Sequence, residues 1–112
     1  MKVLFCSSEV APFAKTGGLA DVAGSLPLAL GKLGIDVLIL MPKYRGIEVS
    51  EKILSDRVRV RFIEHEAFFN RSGLYGNRES DYPDNLDRFT FFSYECLAEA
   101  KRLGFKPDVV HA

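Results

Sequence analysis

The chain has 112 residues, 47% hydrophobic and 27% charged, with 15 basic side chains balanced by 15 acidic ones. That size fits one globular domain or a piece of one, and a zero net charge argues against a partner held by bulk charge, such as nucleic acid or an anionic membrane. The longest apolar run, residues 37–41, falls far short of the roughly 20 residues a membrane-spanning helix needs.

Val3-Leu4-Phe5-Cys6 is a short continuous apolar run, the pattern of a strand buried on both faces of a parallel sheet. Ser7, Ser8 and Glu9 close it too early for a signal peptide. Residues 7–18 read as loop, punctuated by Pro12, Gly17 and Gly18. A helix should follow: Leu19, Val22, Ala23, Leu26, Leu30 and Leu33 recur at steps of three and four and predict one inward stripe. Asp21 suits the helix start, Gly34 suits a left-handed stop, and Pro27 predicts a kink near Ala23. Asp36 to Met41 forms a second buried strand ended by Pro42, which completes a βαβ unit.

Residues 49–54 are compatible with a strand or a short helix. Residues 57–62 alternate, with Val58, Val60 and Phe62 on one face and Arg57, Arg59 and Arg61 on the other, which predicts a strand with a solvated face near a sheet edge. Residues 70–85 are polar and turn-rich, a long surface loop of the kind that often carries function. The last helix should start with Asp84 or Asn85 as N-cap, turn Leu86, Phe89, Phe92, Ser93, Cys96, Ala100 and Leu103 inward, and stop at Gly104. Val109-Val110-His111 then opens another buried strand, and a chain stopping on such a strand reads as cut within a larger domain. Cys6 and Cys96 are far apart and match no CxxC or metal spacing, so they read as reduced, buried thiols of a cytoplasmic protein. The fold class is α/β: a parallel sheet with flanking helices, partial over residues 1–112.

Chemistry concentrates in the loop from 9 to 18. In open α/β sheets, ligands bind beyond the carboxyl ends of the strands. Gly17 and Gly18 let a ligand approach the backbone, the following helix start offers amide groups to an anion, and Lys15 adds a mobile positive charge. A diphosphate is the natural guest. The segment matches neither GxGxxG nor GxxxxGK[ST], and by motif counting alone a plain tight turn with a solvated lysine competes with that reading.

The longer pattern resembles a known family. Ser8-Glu9-Val10-Ala11-Pro12-Phe13 followed by Lys15-Thr16-Gly17-Gly18-Leu19-Ala20-Asp21-Val22 is similar to the opening of bacterial glycogen synthases and plant starch synthases. The similarity continues through Gly24-Ser25-Leu26-Pro27, Met41-Pro42-Lys43-Tyr44, Arg71-Ser72-Gly73-Leu74-Tyr75-Gly76, Asp81-Tyr82-Pro83-Asp84-Asn85 and Pro107-Asp108-Val109-Val110-His111-Ala112. The resemblance implies a Rossmann-like parallel sheet with flanking helices, part of the N-terminal domain of a two-domain, GT-B-type glycosyltransferase. It implies transfer of glucose from ADP-glucose to the non-reducing end of an α-1,4-glucan with retention, in glycogen biosynthesis, with no metal or other cofactor. Lys15 would contact the donor's phosphates, with Gly17 and Gly18 beside the glucose and diphosphate. Glu9, Asp21 and Tyr75 would stand on the acceptor side, Asp21 also serving as a helix-start acid. The family's catalytic histidine and C-terminal domain lie outside these residues, so this chain alone is expected to be inactive. The 45–57 region is shorter than the family's usual one. Rival readings are a non-catalytic α/β module for a phosphorylated ligand, and another nucleotide-sugar glycosyltransferase.

Other candidates read as structural. His65 between Glu64 and Glu66 invites a metal, but neighbours on a strand point to opposite faces. Phe89 and Phe92 fit a buried helical stripe, and His111 reads as a strand-end residue.

Overall fold

The computed structural model describes residues 1–112 and forms a five-stranded, mostly parallel sheet. β1 (Lys2–Cys6), α1 (Gly18–Lys32) and β2 (Asp36–Pro42) make the expected parallel unit, with Val3 opposite Val37 and Cys6 opposite Leu40. β3 (Glu51–Ser55) and β4 (Val58–Ile63) form a hairpin through Asp56 and Arg57. A short α2 (Glu66–Phe69), a long α3 (Asn85–Arg102) and β5 (Val109–His111) follow.

The strand order is β3-β4-β2-β1-β5, with β3 alone antiparallel. From β1 the chain moves outward through β2 to β4, and α3 then carries it back to the other side of β1. Right-handed crossovers running in opposite directions place their helices on opposite faces. The contacts agree: a Cβ on Gly31 of α1 would meet Val58 of β4, whereas Arg61 of that strand bonds Glu99 of α3. The reversal lies between β1 and β5, and a crevice opens beyond the carboxyl end of β1 at such a point.

The continuous apolar runs of β1 and β2 are buried on both faces, as their patterning requires. α1 corrects the predicted stripe. Ala23 faces inward and Leu26 and Leu30 pack against the core as expected, and Ala20 and Pro27 join them, while Leu19, Val22 and Leu33 are exposed. Small residues win because the loop after β1 runs against the helix: the Ala11 amide donates to the Ala20 carbonyl at 3.0 Å, and a Cβ on Gly24 would lie 2.8 Å from the Ala11 oxygen. Gly34 and Gly104 end their helices with φ of 87° and 67°, as expected of left-handed stops.

β4 keeps its alternation and lies near the sheet edge as expected, with β3 pairing outside it. Its arginines are paired rather than simply solvated: Arg59 bonds Glu51 at 2.9 Å and Arg61 bonds Glu99 at 3.0 Å. The ambiguous 49–54 stretch becomes the edge strand that supplies Glu51.

α3 keeps Phe92, Cys96 and Ala100 of the predicted stripe inward and departs from it at Leu86, Ser93 and Arg88. Arg88, Phe92, Cys96 and Ala100 are buried, whereas Leu86 is 80% exposed and Ser93 faces solvent. Asp84 occupies the N-cap position, but its carboxylate forks onto Arg71 at 2.7 and 2.6 Å instead of capping the helix. β5 was expected to be buried; it lies at the sheet margin, with Val109 and Val110 about half exposed and His111 stacked on Phe5. No helix is long and apolar enough to cross a membrane.

Candidate functional site

The loop leaving β1 is tied down by its own polar residues. The Ser7 amide donates to the Leu40 carbonyl at 3.0 Å, and the Ser7 hydroxyl donates to the Glu9 carbonyl at 2.7 Å. These bonds turn Glu9 under the 15–18 segment, where it is 2% exposed.

The Glu9 carboxylate organises what lies above it. Oε1 accepts the amides of Thr16 at 3.0 Å and Gly17 at 3.1 Å, and Oε2 accepts the hydroxyls of Thr16 at 2.7 Å and Tyr75 at 2.6 Å. Burial pushes this carboxyl up, but the hydrogen bonds from Tyr75, Thr16 and Gly17 outweigh it and hold the group below the ordinary carboxylate range. Tyr75 responds in the opposite sense: burial, then its bond to Glu9, pushes the phenol up to about 12. Since Tyr75 gives its proton to Glu9, the Ser8 hydroxyl is the donor in its 2.7 Å contact with the Tyr75 oxygen. Tyr44, its pKa raised chiefly by burial, donates to the Ser8 carbonyl at 2.6 Å. Tyr75 also lines an open groove of about 560 Å³ with Ser8, Asn85, Phe89 and Phe92.

Above this buried support the segment is open. Gly17 precedes α1 in extended backbone, and a Cβ at Gly17 or Gly18 would meet nothing within 4 Å. The fold itself therefore does not demand glycine here, in contrast to Gly24; what the missing side chains leave clear is the outer surface. The Gly17 amide is committed to Glu9 and the Ala20 amide to the Gly17 carbonyl, so the amides left without an acceptor in the first turn of α1 are those of Gly18 and Leu19, which could meet an anion. Lys15 Nζ meets Asp21 Oδ1 at 2.9 Å, with both side chains more than half exposed. Such a surface pair contributes at most about 1 kcal/mol, so an incoming anion of higher charge can take the ammonium from it.

The six residues singled out in the sequence thus occupy one region in two tiers. Lys15, Gly17, Gly18 and Asp21 form the outer surface, Glu9 lies beneath, and Tyr75 arrives from a loop 66 positions away. Sequence reasoning missed Thr16 and Tyr44 as supports, and Arg88 as a buried cation. Nothing local marks Arg88, because an arginine in an amphipathic helix ordinarily reads as solvated. His65 caps α2, with Nδ1 accepting the Phe68 amide at 3.1 Å, and stacks on the Phe68 ring. No group of three or more His, Cys, Asp or Glu side chains converges in a metal-ligating arrangement.

Comparison with known proteins places this architecture among relatives. The sequence model described as the starch synthase catalytic domain matches residues 2–112. A glycogen synthase of Syntrophotalea carbinolica is 44% identical over 135 aligned positions, covering 99% of this chain and 28% of that protein. One from Myxococcus xanthus is 42% identical over 137 positions, covering 100% of this chain and 29% of the relative. The chain therefore spans a little over a quarter of these relatives, which carry residues within that span that it lacks. Among solved structures, the catalytic domain of starch synthase IV from Arabidopsis thaliana, bound to ADP and acarbose, superposes with a TM-score of 0.78 at 29% identity, over 97% of this chain and 27% of that one.

Proposed function

The chain belongs to the starch synthase catalytic domain family, and we propose that it forms one wall of the cleft of an ADP-glucose-dependent glycogen synthase, its 9–18 loop supplying part of the donor site. The complete enzyme would transfer glucose from ADP-glucose to the non-reducing end of an α-1,4-glucan with retention. It needs a facing C-terminal domain for a complete cleft. ADP-glucose is substrate, and no cofactor enters the proposal. The cytoplasmic location expected from the free thiols belongs to the same reading.

The observation that carries this reading is the two-tier 9–18 loop: an exposed lysine and two unobstructed glycines at the start of a helix, held from below by a buried carboxylate. Lys15 would exchange Asp21 for the donor's diphosphate. As the glucosyl–oxygen bond breaks, charge builds on the leaving diphosphate, and a preplaced ammonium with helix-start amides stabilises it where it forms. The open faces of Gly17 and Gly18 would admit the diphosphate and the transferred glucose. Asp21, freed from Lys15, would face the cleft. Tyr75 and its groove would stand toward the acceptor glucan, and Glu9, beneath the loop, would act on that side only through Tyr75.

Donor choice tests the proposal. The full gene product, assayed with a maltooligosaccharide acceptor, should use ADP-glucose far better than UDP-glucose. Equal use of both would assign a different nucleotide-sugar transferase, and ADP binding with no transfer would assign a non-catalytic module.

A further inference from the structure

Arg88 is the largest side chain that is fully buried, and no carboxylate contacts it. Its guanidinium lies among the rings of Tyr82, Phe89 and Phe69, with centroids at 4.9, 5.2 and 5.6 Å. Nε donates to the Phe68 carbonyl at 2.7 Å, while Nη1 donates to the Leu74 carbonyl at 2.9 Å and to Asn85 Oδ1 at 2.8 Å; Nη2 is buried without a partner. A cation kept from water without a counter-charge is costly, so its retention calls for a geometric reason. The planar fork supplies one: it fixes acceptors from three separate stretches at set angles, which a lysine cannot do.

Two of those acceptors bracket one residue. Leu74 precedes Tyr75, and Asn85, held by Arg88, donates from Nδ2 to the Tyr75 carbonyl at 2.8 Å. Tyr75 then reaches Glu9, and Glu9 holds the Thr16 and Gly17 amides. We infer that Arg88 is a positioning residue for the 15–18 segment, acting through Asn85, Tyr75 and Glu9 without touching any substrate. This inference rests on the reading of that segment as the donor's phosphate site.

The test uses the full chain with ¹⁵N-glycine labelling and ADP as the probe. Arg88→Lys, Asn85→Leu and Tyr75→Phe should each displace the Gly17 amide resonance in the same direction and weaken ADP binding about tenfold, the loss of one charge-linked hydrogen bond. The Arg88→Lys/Tyr75→Phe double variant should bind no worse than the weaker single variant, since both cut one path. An unmoved Gly17 resonance in a folded Arg88→Lys protein, or additive losses in the double variant, would overturn the inference. Should Arg88→Lys not fold, Asn85→Leu, which keeps the arginine, decides on the same readings. Wild-type protein that does not bind ADP, yet shows the Gly17 displacement in the variants, would sink the donor assignment and leave the positioning role standing.

Discussion

The Tyr75 hydroxyl donates to Glu9 Oε2 at 2.6 Å, joining a loop before α3 to the loop after β1. That bond gives a buried carboxylate its last donor and makes the floor of the candidate donor site depend on both loops.

Glu9→Gln should therefore damage stability and ligand binding together. A glutamine has one acceptor oxygen and presents an NH2 to donors that now meet the second carboxylate oxygen, leaving buried groups unsatisfied. The expected cost is about 2 kcal/mol, read by urea denaturation, with weaker ADP binding by calorimetry. Unchanged values for both would remove Glu9 as the loop's support.

The same carboxyl predicts an acid limb. Its folded pKa lies below the ordinary value, so the unfolded chain takes up the proton first as pH falls. Its contribution is complete above the unfolded carboxyl's pKa of about 4.3 and fades as pH drops through the lower folded value. Thermal unfolding from pH 7 to pH 3 should show a steeper loss in wild type than in Glu9→Gln. Parallel curves would contradict this.

Lys15→Ala should leave the fold intact. The ion pair with Asp21 is exposed, so stability should change by no more than about 1 kcal/mol, with an unaltered circular dichroism spectrum. Removing a charge-assisted phosphate contact should cost about 10–100-fold in donor kcat/KM. Unchanged donor kinetics would end the phosphate role.

Two glycines of one helix should separate by phenotype. Gly18→Val adds a side chain where the fold leaves open space, so Tm should hold while donor binding falls about tenfold or more from obstruction. Gly24→Ala places a Cβ 2.8 Å from the Ala11 oxygen, so stability should fall by about 1–3 kcal/mol. A thermal melt beside an ADP titration distinguishes the pair, and a Gly18→Val protein that binds like wild type would reject the open glycine face as the approach to the donor.

Some of this protein is legible along the chain because it depends on short-range pattern. Continuous apolar runs made β1 and β2 readable as strands buried on both faces, and Gly34 and Gly104 marked helix stops through their tolerance of positive φ. The order of motifs from Ser8 to Ala112 was enough for the family resemblance, whereas the position of Lys15, Gly17 and Gly18 between a strand and a helix left a phosphate loop and a plain tight turn in competition until that resemblance was weighed. Tertiary structure decided which way each element turned and what each charge met. α1 presents Ala20 beside the expected Ala23, and not Leu19 and Val22, because the loop after β1 crosses it closely, and β4 is interior because β3 covers its edge. Glu9 became a buried support, and Arg88 a buried cation, only when residues distant in sequence delivered their donors and acceptors. Local periodicity records which residues avoid water. It does not record which polar groups will be satisfied across the fold, and here that satisfaction shapes the site.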